Sequence, residues 1–390
     1  MMRAIVTGMI ATYPLGGVVW DYAQYALGLE NLGFEVFYLE DTGTQTYNPS
    51  CQLYGDDPSY GLSFLERTLK LLSPSLGQRW CVRSLDGQLH GPAADRLEHL
   101  VASAELFLNV SGSALLREPY LACPRKVLVD TDPGWNHFVN YPAADARFAA
   151  GEEQAGVSSW RQHDAFFTHA ENLGAPDCLL PSLDIAWEPL RPPVLLNCWS
   201  QEPPGDIWTT VLTWNNFGRP IEYNGRSYGT KEREFRAIES LPTLVKAAFE
   251  LAIGGSKPPL EQMQQKGWKI RSSEAISVDY QSYRHYIQQS RGEFSVAKNV
   301  YVDTRSGWFS CRSVCYLAAG RPVVLQDTGF SNCLPVGMGL LPFSNLEGAC
   351  QALEAVEANY CEHQRAARAV AEQCFEAGMV LSSMLSSVGL

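Results

Sequence analysis

The sequence predicts an α/β protein of two doubly wound domains in tandem, facing each other across a cleft. Three observations point there. Short apolar runs alternate with helical patterns through both halves of the chain, the texture of parallel sheets covered by helices. A stretch crowded with Pro181, Pro189, Pro192, Pro193, Pro203 and Pro204 divides the halves and reads as an extended linker. The length of 390 residues suits two or three domains.

Residues 4–9 are the first apolar run and read as a strand. Gly16-Gly17 follows, then Val18, Tyr22, Tyr25, Leu29 and Leu32 at helical spacing, with Gly33 as the stop. Residues 34–39 form a second strand, completing a strand, glycine loop, helix and strand unit. Helices are expected at 63–72 and 96–104, and strands at 105–110, 126–129 and 165–168. Residues 44–95 otherwise hold many turn residues. Past the linker, 209–213 reads as a strand, and 230–241 and 244–253 as helices, the second stopped by Gly254-Gly255. Next come a strand at 268–272, a helix at 280–289 and a very short strand at 300–302. A helix at 310–319 stopped by Gly320, a strand at 322–326, and helices at 346–358 and 363–375 close the pattern. The expected domains are 1–200 and 201–375, with a tail at 376–390.

Composition excludes several classes. Hydrophobic residues are 46% and charged residues 18%, against about 25% charged in an average domain. Large cores are therefore possible and disorder is not expected. A net charge of −12 argues against a nucleic-acid partner, which calls for a basic footprint. No apolar run reaches the roughly 18 residues of a membrane helix, so no integral membrane contact is expected. Thr7, Gly8 and Pro14 interrupt the N-terminal apolar run, which favours a buried strand over a signal peptide and a cytoplasmic location. Eleven cysteines are scattered with no C-x-x-C pair and read as buried thiols, with no metal site.

Open parallel sheets bind ligands outside the carboxyl ends of their strands, and two such domains face to face make a cleft. The richest stretch for that purpose is 303–324. Ser306, Gly307 and Ser310 precede a helix whose free N–H groups attract an anion, and Arg312 and Ser313 lie in its first turn, where they suit a phosphate. An ordinary capped helix would carry the same residues. Gly225-Arg226-Ser227-Tyr228-Gly229 matches the hydrolase elbow G-x-S-x-G, but Asn224-Gly225 is a hairpin dipeptide and the following residues are charged, so a turn is preferred. H-E-x-x-H, G-x-x-x-x-G-K-[ST] and G-x-G-x-x-G are all missing.

The segment Tyr316-Leu317-Ala318-Ala319-Gly320-Arg321-Pro322-Val323-Val324 resembles the C-terminal signature of GT-B glycosyltransferases. In that family a donor-site helix ends in Ala-Gly-(Lys/Arg)-Pro-Val and runs into a strand. The opening Gly16-Gly17, the Leu32-Gly33-Phe34-Glu35-Val36 segment and Gly337-Met338-Gly339-Leu340 also resemble family features. The resemblance implies two Rossmann-like domains and transfer of a sugar from a nucleotide-diphosphate donor, such as a UDP-, dTDP- or GDP-sugar, to an acceptor hydroxyl. It implies a metal-independent reaction with no cofactor, in which cations and a helix terminus stabilise the leaving diphosphate. Lys231 falls where related enzymes place a phosphate-binding lysine, although a solvated helix residue would read the same. Asp327, Thr328 and Gly329 fall on the loop that touches the donor sugar in the family, and Gly16 and Gly17 on a loop at the cleft. The 376–390 tail is expected to pack back on the N-terminal domain.

One departure concerns mechanism. Many retaining members carry two glutamates that would align with Gly307 and Cys315, neither of which is acidic. The looser match is to the bacterial glycosyltransferases related to spore-coat maturation proteins. An inverting reaction needs a base on the N-terminal domain. Asp132, in Asp130-Thr131-Asp132-Pro133-Gly134, is the first candidate, with His137 and His169 as rivals; an Asx turn would also account for the aspartates. Tyr13, Trp20, Trp135, Phe138, Tyr141 and Trp160 suggest a stacking surface for a small-molecule or glycan acceptor, or core packing. A nucleotide-sugar 2-epimerase of the same fold and a non-catalytic binding protein remain alternatives. Sequence alone leaves the acceptor, the stereochemistry and the oligomeric state open.

Overall fold

The computed structural model describes residues 1–152, 156–215 and 219–390. In the first half, strands form at β1 (Arg3–Thr7), β2 (Glu35–Glu40), β3 (Thr46–Asn48), β4 (Leu53–Gly55), β5 (Trp80–Arg83), β6 (Leu89–His90), β7 (Leu106–Val110), β8 (Lys126–Asp130), β9 (Ala165–Thr168) and β10 (Glu188–Pro189). Eight of them make one sheet in the order β10-β9-β8-β7-β1-β2-β5-β6. Every neighbouring pair is parallel except β5 with β6. The remaining two, β3 and β4, form a separate antiparallel hairpin.

The second half contributes β11 (Ile207–Thr213), β12 (Ile221–Tyr223), β13 (Arg226–Tyr228), β14 (Ala248–Gly254), β15 (Lys269–Ser272), β16 (Gly292–Ser295), β17 (Val323–Gln326) and β18 (Leu340–Phe343). Six of these form an all-parallel sheet, β15-β14-β11-β16-β17-β18. In both sheets the chain builds outward to one side of the first strand, then returns to the other side. Each sheet therefore has a switch point, between β1 and β7 and between β11 and β16, where ligands of doubly wound sheets bind.

The Gly16–Asn31 helix covers the first sheet and carries the contact between the halves. Its Trp20 is buried against Trp199 at 5.0 Å, and the Trp20 indole donates to the Tyr280 carbonyl at 2.9 Å. At its start, Gly16 N–H donates to Ser277 O at 2.7 Å, and a Cβ on Gly16 would lie 2.0 Å from Asp279 O. Only a residue without a side chain allows that approach. The Ala377–Ser387 helix also lies on the Gly16–Asn31 helix, with Leu381 against Gly28, and Arg125 reaches the Val388 carbonyl at 2.9 Å.

Four expectations need correction. Residues 244–253, expected as a helix, contain the strand β14 preceded by a short turn at Leu241–Thr243. Phe249, Leu251, Ala252 and Ile253 are buried between β11 and β15, and a strand covered on both faces has no alternating pattern to separate it from a helix. The helix expected at 230–241 is confined to Lys231–Phe235. The strand expected at 300–302 is a helix, Asn299–Asp303, and the true strand is β16 just before it. Two of the four residues of β16, Glu293 and Ser295, are polar yet buried, so no apolar run marks it. The Pro-rich linker is packed, with Leu190, Val194, Leu195 and Trp199 in the core and residues 188–189 adding an edge strand.

The Asn224-Gly225 dipeptide closes the two-residue hairpin between β12 and β13 with φ of +49° and +74°. Both residues lie in the left-handed region that such turns require. Ser227 sits in a hairpin strand, not on a strand-to-helix elbow.

Candidate active site

Two adjoining cavities occupy the cleft, one at each switch point. The first encloses about 330 Å³ between the ends of β11, the start of the Gly16–Asn31 helix and the start of the Cys311–Ala318 helix. The second, about 200 Å³, lies at the ends of β7 and β8 on the first sheet. Asp21, Lys298, Trp308 and Cys311 stand on the wall of both, so the two form one continuous cleft.

The first cavity brings three cationic side chains, Lys231, Lys298 and Arg312, together with the carboxyl groups of Asp21 and Glu274. Lys231 is buried at its wall and has no hydrogen-bond or ion-pair partner among the described residues. Burial, with Arg312 nearby, holds its ammonium pKa well below the ordinary lysine value. Arg312 is fixed in place instead. Its Nε donates to Glu293 Oε1 at 2.6 Å, Nη1 to the Val211 carbonyl at 2.7 Å and Nη2 to Ser295 Oγ at 3.0 Å. The guanidinium expected to reach a phosphate is thus anchored to the sheet and forms a charged floor. Residues 310–312, at the start of the Cys311–Ala318 helix, also lie on this wall, and no side chain caps that helix. An uncapped helix start offers N–H donors and a positive dipole end to an anion.

Other expected donor contacts are displaced. Ser306, Ser313 and Thr328 are fully buried and absent from both walls. Ser306 accepts from Trp308 N–H at 3.2 Å, and Thr328 donates to the Trp308 carbonyl at 2.6 Å. These hydroxyls shape the loop beneath the site. Asp327 accepts from Gly329 N–H and from Ser331 Oγ, ordering the turn after β17, and Gly329 packs against Arg305. Gly17 does line the first cavity, while the Gly16 and Gly17 N–H groups are both taken by Ser277.

The second cavity carries the acid-base groups. Asp132, expected as the base, stands on its wall, but Lys298 forms a salt bridge to its Oδ2 and the Tyr301 hydroxyl donates to its Oδ1. Both partners come from the other half of the chain, so Asp132 holds Lys298 in position. Asp21 is the group the sequence reading missed. It accepts from Cys311 Sγ at 2.6 Å, and burial pushes its pKa up to about 6, against the lowering effects of that hydrogen bond and of Arg312. A carboxyl with a pKa near neutrality on the wall of both cavities is suited to accept a proton. A signal was present, because Asp21 is the only charged residue of that helix before Glu30.

His169 lines the second cavity and bonds the Tyr25 hydroxyl at 3.0 Å, and burial lowers its pKa to about 4, so it is neutral. His137 is buried elsewhere, between Asp130 Oδ2 at 3.0 Å and the Pro181 carbonyl at 2.7 Å. Of the aromatic residues offered as a stacking surface, none lines either cavity; Trp20 is core, and Tyr141 stacks on Trp160 at 4.2 Å away from the cleft. The rings on the cleft are Trp308, stacked on Tyr301 at 4.3 Å, and Tyr22, Tyr25 and Tyr283. Among the described residues no helix is long and apolar enough to cross a membrane, and no cluster of three or more His, Cys, Asp or Glu is placed to hold a metal ion.

No family model and no curated protein matches the sequence. Solved structures do match in shape. HepE from Anabaena, in complex with UDP and glucose, aligns over 100% of both chains with a TM-score of 0.55 at 10% identity. An α-glucosyltransferase, AGT, in complex with UDP, aligns over 100% of both chains with a TM-score of 0.53 at 11% identity. AviGT4, a glycosyltransferase involved in avilamycin A biosynthesis, covers 99% of this chain and 97% of its own with a TM-score of 0.50 at 11% identity. Identity this low speaks to architecture alone, and the architecture is consistent over the full length: the chain has the GT-B fold, two doubly wound domains closing on a central cleft.

Proposed function

We propose that this protein transfers a glycosyl group from a nucleotide-diphosphate sugar to an acceptor hydroxyl. The observation that carries the reading is the pair of adjoining cavities, one bringing Lys231, Lys298, Arg312 and an uncapped helix start together, the other bearing Asp132, with Asp21 on the wall of both. The diphosphate belongs in the first, against Lys231, Lys298 and residues 310–312. UDP is the first nucleotide to try, because HepE and AGT are seen with UDP.

The acceptor oxygen attacks the anomeric carbon of the donor. The bond from that carbon to the β-phosphate oxygen breaks, and its electron pair stays with the diphosphate. Lys231 and Lys298 meet the growing negative charge, where preorganised donors contribute most. Asp21 takes the proton of the acceptor hydroxyl, and Asp132 orients Lys298. These protein cations supply the charge stabilisation, so activity is expected to survive EDTA.

Isothermal titration with UDP, dTDP and GDP tests the donor site. Binding of at least one at micromolar concentration supports it; none binding at millimolar concentration removes it. Turnover of the donor sugar without an acceptor, yielding its epimer, would favour the 2-epimerase instead.

A further inference from the structure

The second cavity has a chemistry that narrows the acceptor. It encloses about 200 Å³, below the roughly 300–1,000 Å³ of sites for drug-sized ligands. That leaves room for a single ring. Small-molecule sites are usually apolar with a few polar groups. Here Asp21, Gln24, Tyr25, Ser111, Asp132 and His169 all stand on the wall, with Lys298 at the boundary to the first cavity. Apolar surface comes from Trp308, Pro192-Pro193 and the rings of Tyr22, Tyr25 and Tyr301.

Enclosed polar groups require partners. Most already pair with the protein: Ser111 Oγ with Thr131 Oγ1 at 2.6 Å, Tyr25 with His169 Nε2 at 3.0 Å, Gln24 with Leu195 N–H at 3.0 Å, Asp21 Oδ1 with Cys311, and Asp132 with Lys298 and Tyr301, which leaves Asp21 Oδ2 and His169 Nδ1 without a partner among the described residues. Ser111 also holds φ at +62°, a left-handed backbone that a residue with a side chain adopts at a cost, and it does so on this wall.

We infer that the second cavity binds a neutral monosaccharide unit, one of whose hydroxyls is the acceptor. The inference rests on the transferase reading above. A pyranose has a rim of hydroxyls, each able to donate and accept, and faces of C–H groups. The rim suits the carboxylates, amide and imidazole; a face suits the Trp308 ring. An aromatic or lipid alcohol brings a single hydroxyl to Asp21 Oδ2 and His169 Nδ1 where a sugar brings several, and sites built around a hydroxyl reject analogues that lack it by up to about 10⁴–10⁵-fold. An anionic acceptor would meet two carboxylates against one ammonium.

Saturation-transfer NMR on the full chain with saturating UDP tests this. The probes are glucose, galactose, mannose and N-acetylglucosamine, each at 10 mM, with 4-methylumbelliferone and farnesyl phosphate as the aromatic and the anionic lipid alternatives. Transfer to the ring protons of at least one sugar is expected, reduced at least fivefold in Tyr25→Phe and in His169→Gln while the UDP Kd in both stays within twofold. Two variants are used so that a folding defect in one does not decide the result. UDP bound with no transfer to any sugar, or stronger transfer to either alternative probe, overturns the inference and leaves the donor reading standing. A sugar signal with no UDP binding removes the donor reading instead.

Discussion

Lys231→Met separates a ligand-binding cation from a structural one. Lys231 is 8% exposed, lines the first cavity and lacks an ion-pair partner among the described residues. A charge ~4 Å from a phosphate oxygen is worth about 4 kcal/mol at an effective dielectric of 20. Desolvation leaves the ~1.5–3 kcal/mol of a hydrogen bond to a charged group. At 1.4 kcal/mol per decade, the UDP Kd should rise about 10- to 150-fold. The free protein should change in the opposite sense. Methionine keeps the buried stem and removes the buried charge, so the unliganded variant should be more stable by on the order of 1 kcal/mol, about 2 °C in Tm. The pH dependence fixes the sign further. Folding lowers the Lys231 pKa below its ordinary 10.5, so between the two values the unfolded chain binds more protons and stability rises with pH. The cost of the lysine is full below its folded pKa and fades above it, so the methionine variant's advantage should shrink as pH rises. Titration calorimetry and thermal unfolding at pH 6, 7.5 and 9 read all three effects. A UDP affinity within twofold of the parent, or a lower Tm without ligand, would refute the placement of the diphosphate beside Lys231.

Further outcomes follow from the site and from the contact between the halves. Asp21→Asn should cut kcat by about 10²–10⁴-fold with UDP binding intact; the parent's kcat/KM should rise with pH through about 6 as Asp21 loses its proton, and Cys311→Ala, by removing a hydrogen bond that lowers that pKa, should move the midpoint upward in a pH-rate profile. Arg312→Ala should destabilise the protein by ~3–5 kcal/mol in denaturant unfolding, because it strands the fully buried Glu293 carboxylate, and any activity loss will therefore reflect folding as well as binding. Gly16→Ala should cost ~1–3 kcal/mol in the same measurement, since its Cβ would fall 2.0 Å from the Asp279 carbonyl oxygen and backbone must move.

The alternation of runs and helices made the layered α/β architecture legible, and the Ala318-Ala319-Gly320-Arg321-Pro322 turn carried the family resemblance. Legibility failed where burial removed the pattern. β14 is covered on both faces and reads as a helix, and β16 is short and polar because Glu293 must neutralise Arg312 from inside the sheet. Losing β16 also hid Lys298, which stands just past its carboxyl end, where ligands of such sheets bind. The site was legible by region more than by residue. The segment 306–313 does frame the first cavity, but Ser306 and Ser313 point into the core and Arg312 into the sheet. Asp132 reached the cleft, yet its partners Lys298 and Tyr301 lie more than 160 residues away, beyond the reach of any local pattern. Asp21 could have been found as the one charge in the apolar start of its helix.

The claim that the cavity beside Lys231 holds the nucleotide diphosphate is tested most directly by a crystal structure of the protein soaked with UDP. The diphosphate should lie in the 330 Å³ cavity, with oxygens within hydrogen-bond distance of Lys231 Nζ and of a backbone N–H at the start of the Cys311–Ala318 helix. UDP bound elsewhere, or its phosphates turned away from both groups, would contradict it.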